Sequence, residues 1–104
     1  MSRRRPIDFP VLRGLIKPRQ VLEMTGWRPN WSRGLLSRGP CPFHRSTGYT
    51  SRSLAVSDRV AYCHKCHASG DAVRIWAHYK GMEDYESAID LCTILNLPIP
   101  FLDK

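Results

Sequence analysis

At 104 residues with 42% apolar side chains, the chain has material for one modest core and too little for a separate catalytic domain. Its net charge of +7 and pI near 9.7 favour an anionic partner and say nothing about fold. The charge is lopsided: residues 1–59 carry 12 Arg/Lys against 3 Asp/Glu, whereas residues 60–104 carry 4 against 6.

Met1-Ser2-Arg3-Arg4-Arg5 imitates the basic start of a leader, but PIDFPVLRGLIKPRQ is interrupted by Asp8, Arg13, Lys17 and two prolines before an apolar run of roughly 7–15 residues can form. The chain therefore reads as cytoplasmic, with no membrane association, and its thiols as reduced rather than paired in disulfides. Two short helices are expected next, one near Phe9–Ile16 and one starting at Pro18, a residue suited to a first helical position. The second offers Val21, Leu22 and Met24 to a core and stops at Gly26. Short strands follow at Leu35–Ser37, Ser53–Ser57 and Val60–Cys63, with a turn at Ser57-Asp58-Arg59, and together they make a small antiparallel sheet. Asp71 caps a helix through Lys80, in which Val73, Trp76, Ala77 and Lys80 recur at helical spacing before Gly81. Asp84 caps the last helix, whose apolar stripe is Tyr85, Ala88, Ile89, Cys92 and Leu95.

The pentapeptide Cys63-His64-Lys65-Cys66-His67 fits the pattern for covalent haem attachment, but a cytoplasmic chain argues against haem, and Cys63 and Cys66 have partners upstream. Cys41-x2-His44 and Cys63-x2-Cys66, separated by 18 residues, make two knuckles of the kind that build a tetrahedral zinc site. Three thiolates and one imidazole close the shell and leave no position for a reactive water, so the metal, one zinc per chain, is structural. His64 and His67 stay open as alternatives to His44 for the nitrogen ligand, although one lies inside the knuckle and the other directly follows a ligand. Cys92, on an apolar stripe, reads as a small buried hydrophobe.

The run GPCPFHRSTGYTSRSLAVSDRVAYCHKCHASGDAVRIW resembles the N-terminal zinc-binding domain of bacterial-type DNA primases, with a CPFH knuckle, a strand hairpin, a Cys-x2-Cys knuckle and a small-Gly-Asp turn into a helix in that order. The likeness covers about Leu35–Leu95, and KPRQVLEMTG resembles the helix leading into the first knuckle. It implies the same ligands, Cys41, His44, Cys63 and Cys66, and a domain that holds single-stranded template. The segment Arg45–Leu54 departs from the family by lacking its usual lysine. With an end at Lys104 there is room for neither a polymerase core nor a helicase-binding domain, so the chain is expected to stand alone as a non-enzymatic module of DNA replication and primer synthesis. A mobile element is a natural source for a detached replication module.

The expected architecture is a small α+β zinc ribbon flanked by short N-terminal helices and two C-terminal helices. Residues 1–34 form a basic segment packed on or leading into it, and residues 35–104 the zinc-binding unit. Single-strand binders pair a basic track with aromatics on which bases stack. The phosphate contacts expected on that basis are Arg33, Arg38, Arg45, Arg52, Arg59 and Lys65, and the stacking residues Trp31, Tyr49 and Tyr62, on single-stranded DNA or RNA. Two other readings remain open: a module docking on a separately encoded primase, helicase or recombinase through Asp84, Glu86 and Asp90, and a duplex-binding regulator, although no helix is basic enough to suit a major groove.

Overall fold

The structure, a computed structural model, describes residues 5–43 and 52–102. Helices α1 (Phe9–Leu15) and α2 (Pro18–Met24) precede strands β1 (Trp31–Arg33), β2 (Leu36–Gly39), β3 (Leu54–Val56), β4 (Ala61–Cys63) and β5 (Ser69–Gly70). Helices α3 (Ala72–Lys80) and α4 (Asp84–Ile94) complete the fold. The strands form one antiparallel sheet in the order β1-β2-β3-β4-β5, a meander in which each strand pairs with its sequence neighbour. No described helix is long and apolar enough to cross a membrane.

Local chemistry accounts for most of the boundaries. Both N-terminal helices begin at or beside a proline, whose fixed φ suits the first turn and whose missing N–H would lack a partner there anyway. Asp71 caps α3 by accepting from the Arg74 backbone N–H at 3.0 Å, and Gly81 ends it in the left-handed conformation at φ 69°. Lys80, which recurs at helical spacing with Val73, Trp76 and Ala77, is exposed and lies over the Trp76 ring at 5.1 Å. The cap of α4 falls one residue earlier than expected: Glu83 and not Asp84 precedes the helix, and its exchange with Glu86 makes a capping box.

One face of the sheet packs on the helices. Leu54, Val56, Ala61 and Cys63 alternate inward and join Leu12, Val21, Leu22, Trp27, Ile75, Trp76, Leu91 and Cys92 in a single buried cluster. Alternation along β3 and β4 sends every second residue there, and Ala55 and Tyr62 point the other way. The buried polar groups are partnered: Ser87 donates to the Val73 carbonyl at 2.7 Å, the Arg19 guanidinium donates to Ser37 at 3.1 Å, and Trp76 Nε1 donates to Asp90 at 2.7 Å. Helices on one side leave the opposite sheet face open.

Candidate metal centre and exposed sheet face

The first knuckle is set by a close approach at the end of β2. A Cβ on Gly39 would come 2.9 Å from Trp27 Cζ2, so glycine lets the strand settle against the indole, whose Nε1 donates to the Pro40 carbonyl at 2.6 Å. The next residue is Cys41, buried, with the Phe43 backbone N–H donating to its sulfur at 3.4 Å. The second knuckle grows from the end of β4, where the Lys65 and Cys66 N–H groups both donate to Cys63 Sγ at 3.4 Å. The Cys63 N–H reaches the Ala68 carbonyl and the His67 N–H the Cys63 carbonyl, each at 2.9 Å, closing the turn.

These turns bring the sulfurs of Cys41, Cys63 and Cys66 within 4.8 Å of one another. The Cys41–Cys66 separation of 3.7 Å is far beyond a disulfide bond. It matches the edge of about 3.8 Å that a tetrahedron with metal–sulfur bonds of about 2.3 Å must have. The donor chemistry therefore fits a soft, tetrahedral ion. Burial pushes the Cys63 thiol up, but the backbone N–H groups of Cys66 and Lys65, with the Cys66 and Cys41 side chains, outweigh it and lower the pKa from 9.0 to about 7. His44 lies outside the described residues. His64 and His67 do not join the sulfur cluster, and Cys92 sits in the core, its thiol pushed up by burial.

The lowered Cys63 pKa has a sign that can be tested. Only the thiolate binds metal, so above pH 7 the proton on Cys63 competes little, and below it competition grows by up to about tenfold per pH unit from this thiol alone. Zinc affinity, followed with a competing chromophoric chelator from pH 8 to pH 5, is expected to fall steepening through pH 7. A flat profile would contradict thiolate ligation.

The second feature is the open face of the sheet. Strand register aligns Trp31 with Arg38, Arg38 with Ala55, Ala55 with Tyr62 and Tyr62 with Ser69, a continuous row across all five strands. Arg33 and Leu36 pair beside it on the same face. Arg38 Nε donates to the Arg52 carbonyl at 3.1 Å, which places the Arg52 backbone beside the row, while Arg59 sits in the turn at the far end of β3 and β4. Lys65 is exposed in the second knuckle. Arg45 and Tyr49 lie outside the described residues.

The acidic side chains are occupied elsewhere. Asp71 pairs with Arg13 at 2.7 Å, Asp84 with Arg74 at 3.0 Å, Asp58 with Lys17 at 3.3 Å and Glu23 with Arg19 at 3.6 Å. Among the described residues Arg33, Arg38, Arg52, Arg59 and Lys65 have no carboxylate partner. The row itself escapes sequence inspection, because it depends on register between strands distant in the chain.

Residues 32–104 match the family described as CHC2 zinc finger. The chain belongs to the CHC2 zinc finger family. It is a zinc-binding domain with one structural zinc, and the sulfur cluster is consistent with it. Among curated proteins it is similar to the DNA primase of Rickettsia felis, 39% identical over 66 residues, and to that of Rickettsia bellii, 38% identical over 68 residues. These stretches cover 62% and 64% of this chain, which spans only 11% of the length of either relative. Among solved structures, the crystal structure of the Aquifex aeolicus primase, comprising its zinc-binding and RNA polymerase domains, superposes with a TM-score of 0.66 at 24% identity. That match covers 92% of this CHC2 zinc finger chain and 22% of the Aquifex one, so the two share a fold.

Proposed function

We propose that this CHC2 zinc finger protein is a zinc-stabilised module that binds single-stranded DNA as template, accessory to a primase in replication and without catalytic activity of its own. Its metal ligands in this reading are Cys41, His44, Cys63 and Cys66, and its setting is the cytoplasm. The supporting observation is the row Trp31–Arg38–Ala55–Tyr62: two aromatics flank an arginine and a small residue on a face whose cations have no carboxylate partner among the described residues. An aromatic and basic sheet face of this kind suits unpaired bases, whose π surfaces stack on aromatics. The primase relatives point to the same class of ligand. The basic segment 1–34 adds non-specific attraction, and RNA is the second ligand in this reading, through the same stacking.

The docking reading, on a separately encoded primase, helicase or recombinase, is the second one: Asp84 pairs with Arg74, Glu86 serves the α4 cap and Asp90 accepts from Trp76 Nε1, so each of these carboxylates already has a partner within the fold.

Fluorescence anisotropy with short labelled strands tests the proposal. Three to five phosphate contacts predict a slope of log affinity on log salt of about −2 to −3.5, with duplex of the same length binding more weakly. Equal affinity for duplex, or no binding tighter than micromolar at low salt, would overturn it.

A further inference from the structure

His67 has φ 62°, one of two non-glycine residues with positive φ among those described, and it directly follows Cys66. A side chain with a β-carbon is uncommon in that region, where asparagine, aspartate and histidine are the non-glycine residues found most often, so a histidine in place of glycine still calls for a reason. Its side chain supplies one. His67 Nδ1 and the Tyr62 hydroxyl share a hydrogen bond of 2.8 Å, and the His67 ring meets the Tyr62 ring at a centroid distance of 6.1 Å. The His64 ring approaches Tyr62 edge-on at 5.0 Å.

Tyr62 needs such support. Its neighbours across the sheet are Ala55 and Ser69, too small to brace a phenol ring, and the side chain is 37% exposed. Among the described residues, His64 and His67 supply the ring contacts of Tyr62, and His67 its side-chain hydrogen bond.

We propose that His67 is the positioning residue for Tyr62, holding the ring on the open sheet face in the orientation that accepts a nucleic-acid base. The inference rests on the reading of that face as a single-strand interface and adds to it the residue that preorganises one stacking platform. A ring already held loses less rotamer freedom when a base arrives, and that saving appears as affinity.

Three variants at one pH test it in the zinc-loaded protein: His67→Gly, which relaxes the backbone and removes the hydrogen bond; Tyr62→Phe, which keeps the ring and removes the hydroxyl; and His67→Asn, which tolerates positive φ and places an amide oxygen near the position of Nδ1. His67→Gly and Tyr62→Phe are each expected to weaken single-strand binding roughly 2- to 10-fold, and the double variant no further, because they break the same bond. His67→Asn is expected to retain affinity. The salt slope should not change, and His67→Gly should keep its zinc and melt no lower than wild type. A His67→Gly protein that binds like wild type while Tyr62→Ala is weakened would overturn this inference alone, as would loss of zinc or a lower melting temperature in His67→Gly. A wild type that binds no single strand would overturn the interface reading and this inference with it.

Discussion

Removing the zinc is expected to unfold the domain. Structural zinc sites contribute on the order of 10–16 kcal/mol of apparent binding free energy, and a single domain holds only about 5–15 kcal/mol in reserve. The geometry explains why the loss would be global. Cys41 lies just beyond β2 and Cys63 ends β4, so the metal ties together segments of the sheet that flank β3, and both residues belong to the buried cluster shared by sheet and helices. Chelation should therefore abolish the cooperative thermal transition followed by circular dichroism, and restoring zinc should recover it. Cys41→Ser, Cys63→Ser and Cys66→Ser are each expected to prevent soluble folding. Cys92→Ala, in the core but remote from the other sulfurs, should cost about 1–2 kcal/mol through lost packing and keep one zinc per chain. His64→Ala and His67→Ala should keep it too. Full zinc occupancy in Cys41→Ser would show that the ligand set is wrong.

What could be read from the chain in advance followed from how local the information is. The sulfur cluster was legible because two residues between ligands define a turn whatever surrounds it, and the three cysteines of that pattern converge while Cys92 does not. Pro18 and Gly81 marked helix ends because each carries its conformational preference in its own covalent structure. β1 and β5 were not legible. Trp31-Ser32-Arg33 has no apolar alternation, and Ser69-Gly70 is two residues long; both are strands only because β2 and β4 offer them hydrogen bonds. The same limit hid the destinations of the acidic side chains. Asp90 reads as a surface charge on α4 until its carboxylate is found on Trp76 Nε1, a contact made by packing α4 on α3.

The aromatic row carries the second large effect. Base stacking on an aromatic is worth roughly 1–3 kcal/mol, so Trp31→Ala and Tyr62→Ala should each weaken single-strand binding by about 5- to 150-fold. Trp31 on β1 and Tyr62 on β4 stand three strand spacings apart, about 14–15 Å, beyond the range at which substitutions ordinarily couple. The double variant should therefore lose the sum, about 2–6 kcal/mol, enough to remove measurable binding at physiological salt. Since neither ring neutralises a phosphate, both single variants should keep the wild-type salt slope, whereas Arg38→Ala, between them in the row, should make it shallower by about 0.7. The combination separates stacking from charge on one surface: aromatic variants shift the intercept, the arginine variant also shifts the slope. All three should bind zinc and fold, losing no more than one exposed hydrogen bond each, about 1 kcal/mol, because Trp31, Arg38 and Tyr62 lie outside the buried core. Anisotropy titrations from 50 to 300 mM salt, conditions at which counterion release is readily resolved, would supply both quantities. Single aromatic variants that bind as wild type does, or a double variant no weaker than either single one, would mean that bases do not stack along this row.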